Sequence, residues 1–219
     1  MILKSKRFSY GARVEKFEDD WSKWLGSDNS LYVSSGSTAN LLLIDAVKEF
    51  YNIPDQSKVL VPAVTWSTNI NPIIQCNLNP VFVDVSLEDF AINPETFSEI
   101  YDFSPEEIKM IFVTHLIGYA ANIEKIKKFF PNAVIVEDCC ESHGCSKNNK
   151  KIGSSSIGCT FSFYIGHHMT TIEGGMISTN NNDLYHLMKT KRSHGMLRDF
   201  DDSKKDSFIK DYPDIDPTF

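Results

Sequence analysis

Four short apolar runs restrict this chain more than anything else in it. They are Lys58-Val59-Leu60-Val61-Pro62, Pro80-Val81-Phe82-Val83-Asp84-Val85, Lys109-Met110-Ile111-Phe112-Val113-Thr114 and Ala133-Val134-Ile135-Val136-Glu137-Asp138. Each has strand length, and each is nearly continuous rather than alternating in apolar residues. Helical segments fill the gaps: one ends at about Cys76, a short one lies near 95–100 within the long connection 87–107, and another spans 123–130. Strands apolar on both sides need cover on both faces, and helices between them carry the chain back so that the strands run parallel. The fold expected is α/β, with a mostly parallel central sheet and helices on both faces.

The flanking segments fit that plan. Val14, Phe17, Trp21, Trp24 and Leu25 recur at helical spacing until Gly26 stops them. Leu31-Tyr32-Val33 reads as a strand leading through Ser34-Ser35-Gly36-Ser37-Thr38 into a helix over 39–51. After a polar excursion at 146–151, the aromatic run that begins at Thr160 reads as a strand, as does 176–179, and 182–192 as a final helix.

Sheets of this kind bind ligands at the carboxyl ends of their strands. Four suggestive places fall on that rim. Gly36-Ser37 presents backbone N–H groups at a helix start, where an anion can sit. Trp66 follows one strand, Asp138 ends another, and His167-His168 follow the aromatic strand. Each has a plain alternative: a capped helix, a core-filling indole, a helix cap and a surface pair. Together they offer a phosphate cradle, a flat stacking face, a carboxylate for a ring nitrogen and an imidazole to move a proton. Those are the parts of a pyridoxal-phosphate site. The Schiff-base lysine is missing, since no lysine occurs between Lys151 and Lys189.

Other classes fit less well. A net charge of -7 speaks against a nucleic-acid partner, and no apolar run is long enough to span a bilayer. The five cysteines form no C-x-x-C pair, so no metal site is expected, and they suggest a reducing, cytoplasmic protein. His167 and His168 stand side by side, and either could be the imidazole that moves a proton. His143 and His186 are taken as structural or surface residues.

The resemblance that follows is specific. Ser35-Gly36-Ser37-Thr38-Ala39-Asn40-Leu41, Val61-Pro62-Ala63-Val64-Thr65-Trp66, Pro80-Val81-Phe82-Val83-Asp84, Val136 through Gly144, and Phe161-Ser162-Phe163-Tyr164 through Glu173-Gly174-Gly175 resemble the nucleotide-sugar aminotransferases, fold-type-I pyridoxal-phosphate enzymes. The family's lysine stands eight residues before the second glycine of Glu-Gly-Gly, which here is His167. Histidine at that place, followed by a second histidine, is similar to a branch that dehydrates sugars at C3 instead of aminating them.

The resemblance implies a cofactor-binding large domain over 1–200. Residues 201–219 would be a loop leading toward a C-terminal small domain beyond this chain. It implies pyridoxal or pyridoxamine 5'-phosphate as cofactor and L-glutamate as amino donor. The substrate would be a nucleotide-linked 4-keto-6-deoxy sugar, GDP-linked, in colitose-type deoxysugar synthesis for lipopolysaccharide. A homodimer would complete the site. Gly36, Ser37 and Ser162 would hold the phosphate, Trp66 would stack on the ring, Asp138 would pair with the ring nitrogen and Glu141 would approach the ring hydroxyl. His167 would be base and acid, His168 beside it would be structural because adjacent side chains near a strand end point apart, and His194 would lie near the substrate. Rival readings are a CDP-sugar 3-dehydrase with an iron–sulfur cluster, a sugar aminotransferase and an inactive remnant of the fold.

Overall fold

The apolar runs become strands of one seven-stranded sheet in a computed structural model that describes residues 10–196, 205–206 and 209–210. In chain order the strands are β1 (Asn29–Val33), β2 (Lys58–Pro62), β3 (Asn79–Val83), β4 (Ile108–Thr114), β5 (Val134–Asp138), β8 (Gly158–Ser162) and β9 (Gly175–Thr179). A two-stranded ribbon, β6 (Ser146–Lys147) with β7 (Lys150–Lys151), stands apart. The sheet order is β1-β9-β8-β5-β4-β2-β3. Pairs from β8 through β5, β4 and β2 to β3 are parallel, whereas β9 runs antiparallel to both β8 and β1.

Alternate residues of these strands feed two cores, as continuous apolar strands require. Val59, Val61, Phe112, Val136 and Ile177 pack on one side under α2 (Gly36–Phe50), α3 (Ser67–Gln75) and α6 (Asn182–Arg192). Leu60, Val81, Ile111, Val113 and Ile135 pack on the other under α4 (Pro94–Ile100) and α5 (Ile123–Phe129). On that second side α1 (Ala12–Leu25) lays Trp21 and Leu25 against Phe161, Phe163 and Met176. Its end is set by Gly26, left-handed at φ 83. Asn93, Asn122 and Asn181 cap α4, α5 and α6 with their side-chain oxygens.

Some boundaries differ from expectation for identifiable reasons. The third strand ends at Val83, because Val85 turns away to form an isolated bridge with Ile92. The helix expected over 39–51 starts three residues earlier, because Ser35 caps it. Of residues 201–219, expected as a loop, only Lys205, Asp206, Ile209 and Lys210 are described, and all four are helical. A charged composition marks that stretch as solvated, which does not oppose a helix.

Candidate active site

The carboxyl ends of β1, β2, β4, β5 and β8 surround a cavity of about 680 Å³. Gly36, Ser37, Trp66, Asp138, Glu141, Ser162 and His167 all line it. At the start of α2 the Ser35 hydroxyl accepts the Thr38 N–H at 3.1 Å, while the Thr38 hydroxyl accepts the Ser35 N–H at 3.0 Å. This capping box leaves the first-turn N–H groups, at Gly36 and Ser37, for an anion. Gly36 is required by proximity: a Cβ there would stand 2.6 Å from Ser162 Cβ and 3.1 Å from Cys140 Sγ. A Cβ on Gly175 would lie 2.2 Å from the Ser35 carbonyl oxygen. The Ser-Gly turn and the Glu-Gly-Gly stretch are therefore pressed together, and their glycines are what permits the contact.

Asp138 is buried and held from two sides. Its Oδ1 accepts the Cys140 N–H at 2.8 Å, and its Oδ2 accepts a hydrogen bond from Asn40 Nδ2 at 2.9 Å. Asn40, wholly buried, also accepts the Thr160 hydroxyl at 2.6 Å and reaches the Thr68 carbonyl at 3.2 Å. A carboxylate fixed in this way keeps its direction in a site of low dielectric. Asn40 was absent from the residues singled out in the sequence. Its signal was a polar residue on the buried stripe of α2, among Gly36, Ala39, Leu43, Ile44 and Val47.

Trp66, the residue preceding α3, is 66% exposed, so it is a wall of the cavity and not core filling. Glu141 accepts the Ile117 N–H at 3.3 Å.

The histidines stand on the loop between β8 and β9. The loop is tied at its base by Phe163 N–H to the Gly174 carbonyl, 2.8 Å, and Thr171 N–H to the Phe163 carbonyl, 3.0 Å. His167 and His168 both line the cavity. At His168, expected to be structural, the chain bends, so the two imidazoles face one cavity and do not point apart as on an extended strand. His143, also expected to be structural or on the surface, lies behind the pair, with ring centroids 6.3 Å from His167 and 5.9 Å from His168. Burial, then the charge of those two neighbours, pushes its imidazole down to about 4. His194 sits in the turn after α6 with φ 62 and is not among the residues lining the cavity.

A second buried pair went unnoticed in the sequence. His115 Nε2 and Glu137 Oε2 are 2.7 Å apart, and Oε2 also accepts the Gly153 N–H at 3.0 Å. Burial alone would raise the Glu137 carboxyl, but His115 and the other hydrogen bonds outweigh it and hold the group below its usual range. Cys139 brings a third ligand-type atom within 4.8 Å of these two. The tautomer opposes a metal here. His115 Nδ1 accepts the Ala121 N–H at 3.1 Å, so the ring proton is on Nε2, which donates to Glu137 and has no free lone pair. The pair instead anchors the turn whose Leu116 and Ile117 form part of the cavity wall.

Comparison with known proteins gives a consistent result. The model of the DegT/DnrJ/EryC1/StrS aminotransferase family matches residues 1–210. A GDP-4-keto-6-deoxy-D-mannose 3-dehydratase of Escherichia coli O55:H7 is 35% identical over 223 residues, covering 100% of this chain and 56% of that protein. The E. coli GDP-4-keto-6-deoxy-D-mannose-3-dehydratase with bound hydrated PLP superposes with a TM-score of 0.84 at 36% identity, over 91% of this chain and 52% of that one. A GDP-4-keto-6-deoxymannose-3-dehydratase with a trapped PLP-glutamate geminal diamine gives a TM-score of 0.84 at 34% identity, over 94% of this chain and 57% of that one. The chain spans about half the length of these relatives.

Proposed function

The chain belongs to the DegT/DnrJ/EryC1/StrS aminotransferase family, and from that premise we propose that it binds pyridoxal or pyridoxamine 5'-phosphate for C3 dehydration of a GDP-linked 4-keto-6-deoxy sugar, with L-glutamate as amino donor. One observation carries this reading. An imidazole, His167, stands on the cavity wall eight residues before the second glycine of Glu-Gly-Gly, where the resemblance puts the family's lysine, and no lysine lines the cavity among the described residues. Without a tethering amine the amine form of the cofactor has no internal competitor.

The donor set suits that cofactor. The start of α2 with the Ser37 and Ser162 hydroxyls would hold its phosphate, and the close approach of Gly36 to Ser162 forms the cradle. Trp66 would cover the ring, Asp138 would meet the ring nitrogen and Glu141 the ring hydroxyl. When bound, the cofactor supplies an electron sink that depends on a protonated ring nitrogen. Asp138, oriented by Asn40 and the Cys140 N–H, supplies the negative charge that keeps such a nitrogen protonated. His167 takes up a proton and returns one to the leaving hydroxyl, two tasks an imidazole performs in turn. Two of the relatives support this by name, one with bound PLP and one with a PLP-glutamate adduct.

Large apolar side chains crowd the exposed rim and its loops: Trp66 66%, Ile117 64%, Ile165 62% and Ile172 71%. A patch of this kind supports assembly with a second copy that closes the site. Among the described residues no helix is long and apolar enough to cross a membrane.

Absorbance during titration with PLP, then glutamate, tests cofactor and donor: an aldehyde band should appear and then give way to the amine band. His167→Asn should leave PLP binding intact and abolish dehydration. Turnover of that variant at the wild-type rate would refute the role given to His167.

A further inference from the structure

His143 is a buried-edge imidazole that the reading above does not use. Its ring packs against Phe161 at 5.5 Å, Phe163 at 5.7 Å and Trp21 at 6.0 Å between centroids. Its other ring neighbours are the two loop imidazoles, His168 at 5.9 Å and His167 at 6.3 Å. Both of its nitrogens are sealed from solvent and make no hydrogen bond of good geometry among the described residues. The Ser162 backbone lies near enough to favour the protonated ring. An aromatic pocket that needed only filling would be served better by phenylalanine, which leaves no polar atom unpaired. A neutral imidazole has one donor and one acceptor, and two rings able to complement them stand beside it.

We propose that His143 is a positioning residue that joins His167 and His168 into one three-imidazole unit, a ring nitrogen engaged with each, so that the tautomer of the base is set from behind the cavity. The inference rests on the reading of His167 as that base. With centroids 5.9 and 6.3 Å apart the rings are not hydrogen-bonded, and an approach of about 1 Å brings facing nitrogens within reach. The loop is the member that moves, since none of its side chains between 164 and 173 is buried. His143, wedged among aromatic rings, is the fixed one.

Imidazole 15N NMR of the full chain, without cofactor, tests this. His167 and His168 should each show one dominant tautomer. In His143→Phe, which keeps the aromatic packing, both should relax to the mixed tautomers of a free imidazole. In His143→Gln, which keeps a donor and an acceptor, a preference should persist. Mixed tautomers in the unchanged protein, or identical shifts in His143→Phe, would overturn the proposal while leaving the PLP titration to judge the cofactor reading by itself. In turnover assays His143→Phe should lower kcat by at least about tenfold with KM and PLP affinity unchanged, and His143→Gln should recover part of it. A phenylalanine variant faster than the glutamine variant would mark His143 as packing and overturn the proposal.

Discussion

Replacing Asn40 by alanine would remove the one side chain that ties Asp138, Thr160 and the start of α3 together. Three hydrogen bonds are lost, at 2.9 Å to Asp138, 2.6 Å from Thr160 and 3.2 Å to the Thr68 carbonyl. The bond to the carboxylate is charge-assisted and contributes about 1.5–3 kcal/mol. The Thr160 hydroxyl keeps only a long contact with the Glu137 carbonyl, at 3.5 Å. Its loss adds about 1 kcal/mol, so the total is roughly 2.5–4 kcal/mol. Against a whole-domain stability of about 5–15 kcal/mol this is large. At about 2–4 °C per kcal/mol for a domain of this size, Tm should fall by roughly 5–16 °C.

Far-UV circular dichroism during heating, with urea titration at pH 7, measures the loss. Asn29→Ala is the control, because its amide bonds to Asn182 at the surface and should matter by no more than about 0.5 kcal/mol. In an Asp138→Ala background the cost of Asn40→Ala should shrink by the share of the charged bond. A single-variant loss below about 1 kcal/mol, or no such shrinkage, would show that Asn40 does not hold the carboxylate.

Two further outcomes are expected. Glu137→Ala strands the His115 Nε2–H and the Gly153 N–H in the interior and should cost about 3 kcal/mol by urea denaturation, with Glu137→Gln milder; equal losses would deny the pairing. The folded pKa of His143, about 4, lies below its ordinary 6.5, so the unfolded chain takes up this proton first and stability should fall as pH drops from about 6.5 toward 4. Glu137, depressed from 4.5, extends that loss to lower pH, since its contribution is complete above 4.5 and fades as its folded carboxyl protonates. Urea midpoints across pH should show the decline, and His143→Phe should flatten its upper part; an unaltered profile in that variant contradicts the assignment.

Much of this architecture can be read before any coordinates. The strand at 58–62 and the helix at 182–192 begin and end where the sequence places them. Pairing direction is different, because nothing local to 175–179 says that β9 slots between β1 and β8 in the opposite sense. The ribbon β6–β7 carried a usable sign that went unread: Asn148-Asn149, at φ 54 and 59, is the kind of pair that closes a two-residue hairpin. In the cavity, the residues at strand ends were accessible to motif reasoning. Asn40, His115 and Glu137 were not, because they act on other side chains across 98 and 22 positions of chain.

The neck of the β8–β9 hairpin has a consequence for how chemistry could be exchanged on this scaffold. Backbone bonds at Phe163, Thr171 and Gly174 and the Tyr32 hydroxyl on Thr171 grip the hairpin where it leaves the sheet, while the tip carries nothing into the interior. An amine or an imidazole at position 167 makes the same mechanical demand on the fold, which is almost none. Under the role proposed for His167, reaction type and foldability are governed by different residues. Under that proposal, redesign of this chain toward a new reaction should begin at that tip and leave the grip untouched.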